Sequence, residues 1–525
     1  MSDPEARPAR EGESAEPPGE SEGTGEGRIV EPSDDDPPGE GEVRRLAVRG
    51  TLWTLLGYGG TQVLRLGSNL LLAYLLFPEA FGVMALVNAF LMGIEMFSDL
   101  GIWRSCVQNP RGAEPRFLGT AYTIQAARGV GLWLTTWALA WPYATFYDEP
   151  MLAPYLVVVG ATSVLRGFES TAVFTLHREV AMRPLTLLEL GSRGVQAVVT
   201  VGWAAVDRDV WSLVAGGVAY AVARLLGSHL LLGRRTARFA WDRSARRELV
   251  HFGKWLVLSS ILTFAMANAD RLILGKVVSK EELGLYSIAL GYTSIAVAIA
   301  FQLADSVLFP ILSRAQGDRI RVVELYLGSR RVVLWAAAGL CAAIVMGAPP
   351  FFELLYDSRY LEAGTIAQWL TLPTWTTVLF IGSDLVPLAF GRSRVQFLGN
   401  LVRAAGVPLA LWGFSLAGLP GLIVGMATSS VLAHLFLVAR FPGGQARVLG
   451  QSLRFSIGLV AYVVGSLGAL ELVSEAPRWA SISVAGVLAA VPLGVMARVV
   501  LRAVRGRGAP EPEPPPAEAA GPEDQ

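Results

Sequence analysis

Seven arginines lie inside long apolar stretches of this chain: Arg65, Arg128, Arg166, Arg193, Arg224, Arg271 and Arg403. A guanidinium stays charged and presents a planar fork of donors that matches a phosphate, so these residues point to anion binding. An arginine at mid-helix costs about 2.5–3.5 kcal/mol on insertion scales, so each must face a cavity or a partner. Arg65 and Arg128 fall near the centres of their stretches with no carboxylate three or four residues away. They lead as cavity residues. Arg166 has Glu169 at i,i+3 and Arg193 has Glu189 at i−4; a self-neutralised helical pair or ligand contact fits either. Arg193, Arg224 and Arg403 lie near helix ends and can snorkel.

The acids divide unevenly. Glu95, Asp99, Glu169 and Glu189 stand against five arginines in the first half, and Asp270, Asp305, Glu353 and Asp384 against Arg271 and Arg403 in the second. A basic first half and an acidic second point to separate anion and cation sites. Asp270 is the ion-coupling candidate, with a local pair to a neighbouring helix as the alternative. The four histidines (His177, His229, His251, His434) are scattered, and Cys106 and Cys341 lie in or at the end of apolar runs. No metal-ligand spacing, nucleophile constellation or phosphate-cradling glycine loop occurs. No metal, cofactor or ATP hydrolysis is expected, and the chain reads as a non-enzyme.

The elements that must hold these charges are apolar runs of 18 to 26 residues: 52–76, 82–103, 118–141, 152–176, 185–206, 210–232, 255–277, 283–308, 332–355, 366–390, 395–416, 419–439, 455–472 and 480–497. Each is long enough to cross the ~30 Å hydrocarbon core of a bilayer as a helix. The expected fold is therefore an all-α polytopic membrane protein of about fourteen transmembrane helices. A hydrophobic fraction of 52% and a mean hydropathy of +0.45 agree with that class. The first apolar run starts too far in and runs too long for a cleavable signal peptide.

Net charge is zero only because opposite charges are segregated. Residues 1–42 hold 14 acids against Arg7, Arg10 and Arg28. With the Pro- and Glu-rich residues 506–525 they read as disordered acidic tails. Between the runs, lysine and arginine number 29 in one set of alternate loops and five in the other, the five being Arg208, Lys276, Lys280, Arg359 and Arg478. The positive-inside rule places both termini in the cytoplasm. The remaining outer loops are too short for an intramembrane glycan polymerase.

An internal repeat organises the runs. After the first, the chain reads Phe77-Pro78-Glu79-Ala80-Phe81-Gly82, and after the seventh Ser279-Lys280-Glu281-Glu282-Leu283-Gly284, aligning Gly82 with Gly284. Six runs per unit makes the units parallel repeats about an axis along the membrane normal. The glycines read as structural, for a tight turn and close helix contact. The division is a first lobe at 43–232, a basic linker at 233–254, a second lobe at 255–440, and two extra helices within 441–505.

Several motifs in this order are familiar. Asn69-Leu70-Leu71-Leu72-Ala73-Tyr74 leading into Pro78-Glu79-Ala80-Phe81-Gly82 is one, and Asp99-Leu100-Gly101-Ile102 another. Asn268-Ala269-Asp270-Arg271-Leu272-Ile273-Leu274-Gly275, Leu283-Gly284-Leu285-Tyr286-Ser287 and Phe309-Pro310-Ile311-Leu312-Ser313-Arg314 follow. Over roughly residues 45–440 the chain resembles the bacterial oligosaccharide-lipid (Wzx-type) flippases of the multidrug/oligosaccharidyl-lipid/polysaccharide (MOP) exporter superfamily. Leu176-His177-Arg178-Glu179 with Trp211-Ser212-Leu213-Val214 looks like the colanic-acid-type branch.

The resemblance implies a carrier in the bacterial inner membrane that flips undecaprenyl-pyrophosphate-linked oligosaccharide to the periplasmic leaflet by alternating access. Arg65, Arg128, Arg166, Arg193 and Arg271 would line its pyrophosphate and sugar cavity. The lipid tail would stay in the bilayer near the last two helices. Implied partners are the lipid-linked oligosaccharide, membrane lipids, and the polysaccharide polymerase and chain-length machinery, with no nucleic acid. A multidrug antiporter of the same superfamily is the alternative within transporters, and a membrane-embedded glycan polymerase the alternative outside them.

Overall fold

A computed structural model describes residues 40–505 apart from 100, 180, 232–237, 305–307, 309–311, 313–318, 390–391, 442 and 473–476. The tails, Asp305 and most of the motif at 309–314 lie outside the described residues. Among those described there is no strand. The first half contributes α1 (Glu40–Leu75), α2 (Pro78–Phe97), α3 (Ile102–Gln108), α4 (Pro115–Phe146), α5 (Leu152–Gly167), α6 (Ala172–Arg178), α7 (Met182–Val206) and α8 (Val210–Leu230). The second contributes α9 (Arg243–Val277), α10 (Lys280–Leu303), α11 (Arg319–Leu355), α12 (Leu361–Ala389), α13 (Ser393–Ala404) and α14 (Gly406–Val438). α15 (Gln445–Glu471) and α16 (Arg478–Arg505) complete the chain.

Among the described residues the apolar runs fall on helix, and three of them span a break: the second between α2 and α3, the eleventh at Ala405 between α13 and α14, and the fourth. The fourth is α5 and α6, bent by 62°. α14 contains two rods joined at Ala417 and Gly418. Gly418 has φ +61°, a left-handed conformation that favours glycine. The rods fold back because Gly413 and Gly421 carry no Cβ, and one on either would fall on the other's carbonyl. Among the described residues, seven helical stretches are long and apolar enough to cross a bilayer by length and composition, eight counting the bent pair. The figure of fourteen crossings therefore rests on the sequence, since residues such as Arg65, Arg128 and Arg193 lower the apolarity of the helices carrying them.

Within each half the helices pair with near neighbours in the chain. α4 lies on α5 and α7 on α8 in the first half; α11 on α12 and α12 on α14 in the second. α15 and α16 attach to α11. Leu230, Leu472 and Trp479 stay exposed on the outside of the bundle, where lipid is as apolar as they are. Helix association then rests on close packing by small residues more than on hydrophobic burial. Ala73, Ala289, Ala348, Ala363 and Ala367 are accordingly fully buried in the main core.

The halves come close at the two glycines that the sequence aligns. α2 packs on α10, and a Cβ on Gly82 would fall on the Lys280 carbonyl, one on Gly284 on the Pro78 carbonyl. The two aligned glycines thus meet each other where α2 crosses α10. Gly284→Ala is expected to destabilise the protein by about 1–3 kcal/mol, the usual cost of overpacking. The melting temperature of the purified variant checks this; an unchanged value would mean the crossing has slack.

Arg330, one of the 29 charges assigned by sequence to loops, corrects that assignment. It lies within α11 and is 1% exposed. α11 begins well ahead of its apolar run and carries the charge inward. Arg330 donates to Ser452 Oγ at 2.9 Å and Gln451 Oε1 at 3.1 Å, both on α15. His434 joins the same cluster, with Ser383 Oγ at 2.7 Å and Ser452 Oγ at 3.1 Å. The cluster fastens α15 to the second half.

Candidate functional site

A cavity of about 700 Å³ lies between the halves, walled by α1, α2, α5, α7 and α8 on one side and by α9, α10 and Tyr356 on the other. At the expected outer end it is sealed. Tyr360 donates its hydroxyl to the Leu76 carbonyl at 2.9 Å, and Tyr147 to the Leu272 carbonyl at 3.0 Å. Arg359 stacks over the Phe77 ring at 4.5 Å. Lys276 reaches the Phe146 carbonyl at 2.7 Å and Asp148 at 2.6 Å, and this hydrogen bond holds the exposed Asp148 carboxyl below the usual range. Every one of these contacts joins the first half to the second.

Four of the five arginines expected to bind substrate line this cavity: Arg65, Arg166, Arg193 and Arg271. Glu95 is the only carboxylate among the lining residues. Arg65, from the middle of α1, is exposed to the cavity, and no hydrogen bond or ion pair engages its guanidinium among the described residues. Arg271 donates to Asn268 Oδ1 at 3.1 Å, one turn back on α9, and has no ion pair among the described residues. One uncompensated cation therefore stands on each wall. Gln62, Asn88, Tyr220 and Tyr292 add polar groups suited to sugar hydroxyls.

Arg128 is placed elsewhere. Its Nε donates to Ser98 Oγ at 3.0 Å and its Nη2 to the Glu95 carbonyl at 2.7 Å. It ties α4 to the last turn of α2, where orphan carbonyls need donors, and it is absent from the cavity lining. The reading of Arg166 as paired with Glu169 is corrected too. Arg166 Nη1 instead holds Glu95 at 2.7 Å, and Glu169 is taken by Arg224 at 3.0 Å. The break between α5 and α6 turns Glu169 away from Arg166 towards α8.

The pair at 189 and 193 does form, at 2.9 Å. Glu189 also accepts from Tyr220 Oη and pairs with Arg224, so three donors fix it. Arg224 does not snorkel, since it serves two carboxylates from 22% exposure. Arg193 lies over the Tyr220 ring at 4.4 Å and is thereby aimed at the cavity.

Asp270 faces away from its neighbour Arg271. It is 6% exposed, accepts from Tyr286 Oη at 2.6 Å through Oδ2, and leaves Oδ1 without a hydrogen-bond partner among the described residues. It borders a second cavity of about 60 Å³, within the second half, that also touches Thr377, Arg403 and Ser429. Arg403 donates to Thr377 Oγ1 at 3.0 Å and lies over Phe380. Consecutive residues thus serve different cavities, as successive positions on a helix must. Sequence reasoning missed Asn268 and Glu95 as cavity groups; the polar run from Asn268 to Arg271 was the available signal for the first.

The polysaccharide biosynthesis protein family matches residues 71–365, more than half of the chain. The succinoglycan biosynthesis transport protein ExoT of Rhizobium meliloti (strain 1021) is 24% identical over 362 residues, covering 69% of this chain and 72% of that one. Among solved structures, the lipid II flippase MurJ in an inward closed conformation aligns with a TM-score of 0.63 at 10% identity, over 87% of this chain and 100% of that one. An inward-facing multidrug resistance MATE family transporter of the MOP superfamily aligns with a TM-score of 0.51 at 16% identity, over 78% and 96% of the two chains. This multi-pass membrane protein, with the helical framework common to those two transporters, belongs to the polysaccharide biosynthesis protein family.

Proposed function

We propose that the protein is a flippase that carries undecaprenyl-pyrophosphate-linked oligosaccharide from the cytoplasmic to the periplasmic leaflet by alternating access. The observation that carries this reading is the cavity's charge: four arginines against one carboxylate, with Arg65 and Arg271 uncompensated on opposite walls. A pyrophosphate diester bears one negative charge on each phosphate, which matches the two free guanidinia. Its binding would bridge the halves and link occupancy to their relative motion. The volume falls within the usual ligand range of about 300–1,000 Å³. ExoT's name supports transport in polysaccharide biosynthesis. A cationic drug would meet repulsion here, which disfavours the multidrug reading.

The test is polysaccharide export by cells carrying Arg65→Ala or Arg271→Ala, each expected to fall to background. The two-lobe division and an inner-membrane location with cytoplasmic termini belong to the same reading. Reporter fusions at Glu149 and Asp318 are expected to read periplasmic and cytoplasmic; a reversal at either would overturn the topology.

Asp270 is our candidate for energy coupling. A buried carboxylate beside a small, mostly apolar cavity suits a proton that resets the charge of the returning carrier. Asp270→Asn is expected to slow turnover in reconstituted vesicles and to blunt its response to an imposed proton gradient. Unchanged gradient dependence would leave Asp270 as a structural partner of Tyr286.

A further inference from the structure

The two glutamates that pair with cavity arginines are held very differently. Glu189 is fixed by Arg193, Tyr220 and Arg224. The Glu95 carboxylate has one hydrogen-bond partner among the described residues. Both of its oxygens accept from the same nitrogen, Arg166 Nη1, at 2.7 and 2.9 Å. The two side chains are 31% and 46% exposed, and both line the cavity. Nε and Nη2 of Arg166 carry no hydrogen bond among the described residues. One glutamate is part of the framework and the other can leave.

We propose that Glu95 is a resident counter-anion, exchanged for the anionic head group each time substrate enters or leaves; this rests on the flippase reading above. In the empty carrier Glu95 neutralises Arg166. When a pyrophosphate settles between Arg65 and Arg271, one of its oxygens takes Arg166 as well, and Glu95 is released. A cation lies ready for the displaced carboxylate, because Arg128 reaches the backbone of Glu95 itself and keeps Nη1 unused among the described residues. On release of substrate Glu95 returns. The exchange limits how tightly the head group is held, which a carrier needs, since binding that is too strong stops product release. It also lets the empty carrier reorient with fewer bare charges.

The experiment measures binding of farnesyl pyrophosphate to the purified full-length protein by calorimetry, and turnover of the same variants in vesicles. Glu95→Gln removes the competitor and is expected to bind about 1.5- to fivefold tighter than wild type, the range of a partly exposed ion pair. Its turnover is expected to fall. A merely structural Glu95 would do the reverse, since a misplaced Arg166 weakens binding. Glu95→Ser serves if the glutamine variant does not insert stably. Glu95→Gln/Arg166→Ala is expected to bind no more tightly than Arg166→Ala. Binding by Glu95→Gln that is equal to or weaker than wild type, while Arg65→Ala weakens it, overturns the exchange and leaves the flippase reading standing. Wild-type binding by Arg65→Ala would strike at the flippase reading itself.

Discussion

Arg65→Ala and Arg271→Ala are each expected to reduce export of surface polysaccharide to background, with normal insertion and melting temperature. The stability half follows from geometry. Arg65 has no hydrogen-bond or ion-pair partner to orphan among the described residues, and Arg271 releases only Asn268. The transport half follows from removing charged hydrogen bonds, worth about 1.5–3 kcal/mol each. Deleting one guanidinium therefore weakens head-group binding by about tenfold to more than a hundredfold. Arg65→Lys is expected to be partly active, since an ammonium supplies charge without the fork. Arg128→Ala should differ, losing thermal stability because its donors cap the end of α2. Wild-type export by both Arg65→Ala and Arg271→Ala at normal expression would remove the cavity arginines from the mechanism.

Arg224→Met is expected to produce a misfolded or degraded protein. Arg224 is the counter-ion for Glu169, which is 12% exposed, and shares Glu189 with Arg193. Removing one partner of a buried pair costs about 3–5 kcal/mol because the other charge stays behind, and net stabilities are only about 5–15 kcal/mol. The same geometry supplies a rescue. Glu169→Gln on the same chain deletes the stranded charge, while Glu189 keeps Arg193 and Tyr220. The double variant is therefore expected to regain most of the expression forfeited by Arg224→Met. Recovery of folded protein, measured by size-exclusion chromatography in detergent, checks this. An Arg224→Met protein that elutes and melts like wild type would show that the network adds no stability.

The helices were legible in the sequence because a bilayer-length apolar run has few other meanings, and the alignment of Gly82 with Gly284 marked both as sites of close helix contact without showing that they meet each other. The limits lie where structure depends on distant pairing. Local spacing offers Arg166 a partner at Glu169, yet it takes Glu95, 71 residues away, because the chain breaks between α5 and α6. No i,i+4 rule sees such a break. Arg330 looked like a loop charge since hydropathy cannot register helix that continues past its apolar run. Arg65 and Arg128 looked alike for a similar reason. Both are mid-run arginines without local carboxylates, but one meets a cavity and the other the carbonyl end of α2.

The most direct test of the flippase reading is translocation by the purified protein. Wild-type protein and the Arg65→Ala/Arg271→Ala double variant are reconstituted into vesicles with a polyprenyl-pyrophosphate-linked oligosaccharide. Loss of the sugar from one leaflet and its arrival in the other are followed with an impermeant oxidant or lectin. Wild type is expected to equilibrate the head group between leaflets far faster than protein-free vesicles, and the double variant no faster than those vesicles. A wild-type rate equal to the protein-free rate, or a double variant as fast as wild type, would contradict a flippase working through these two arginines.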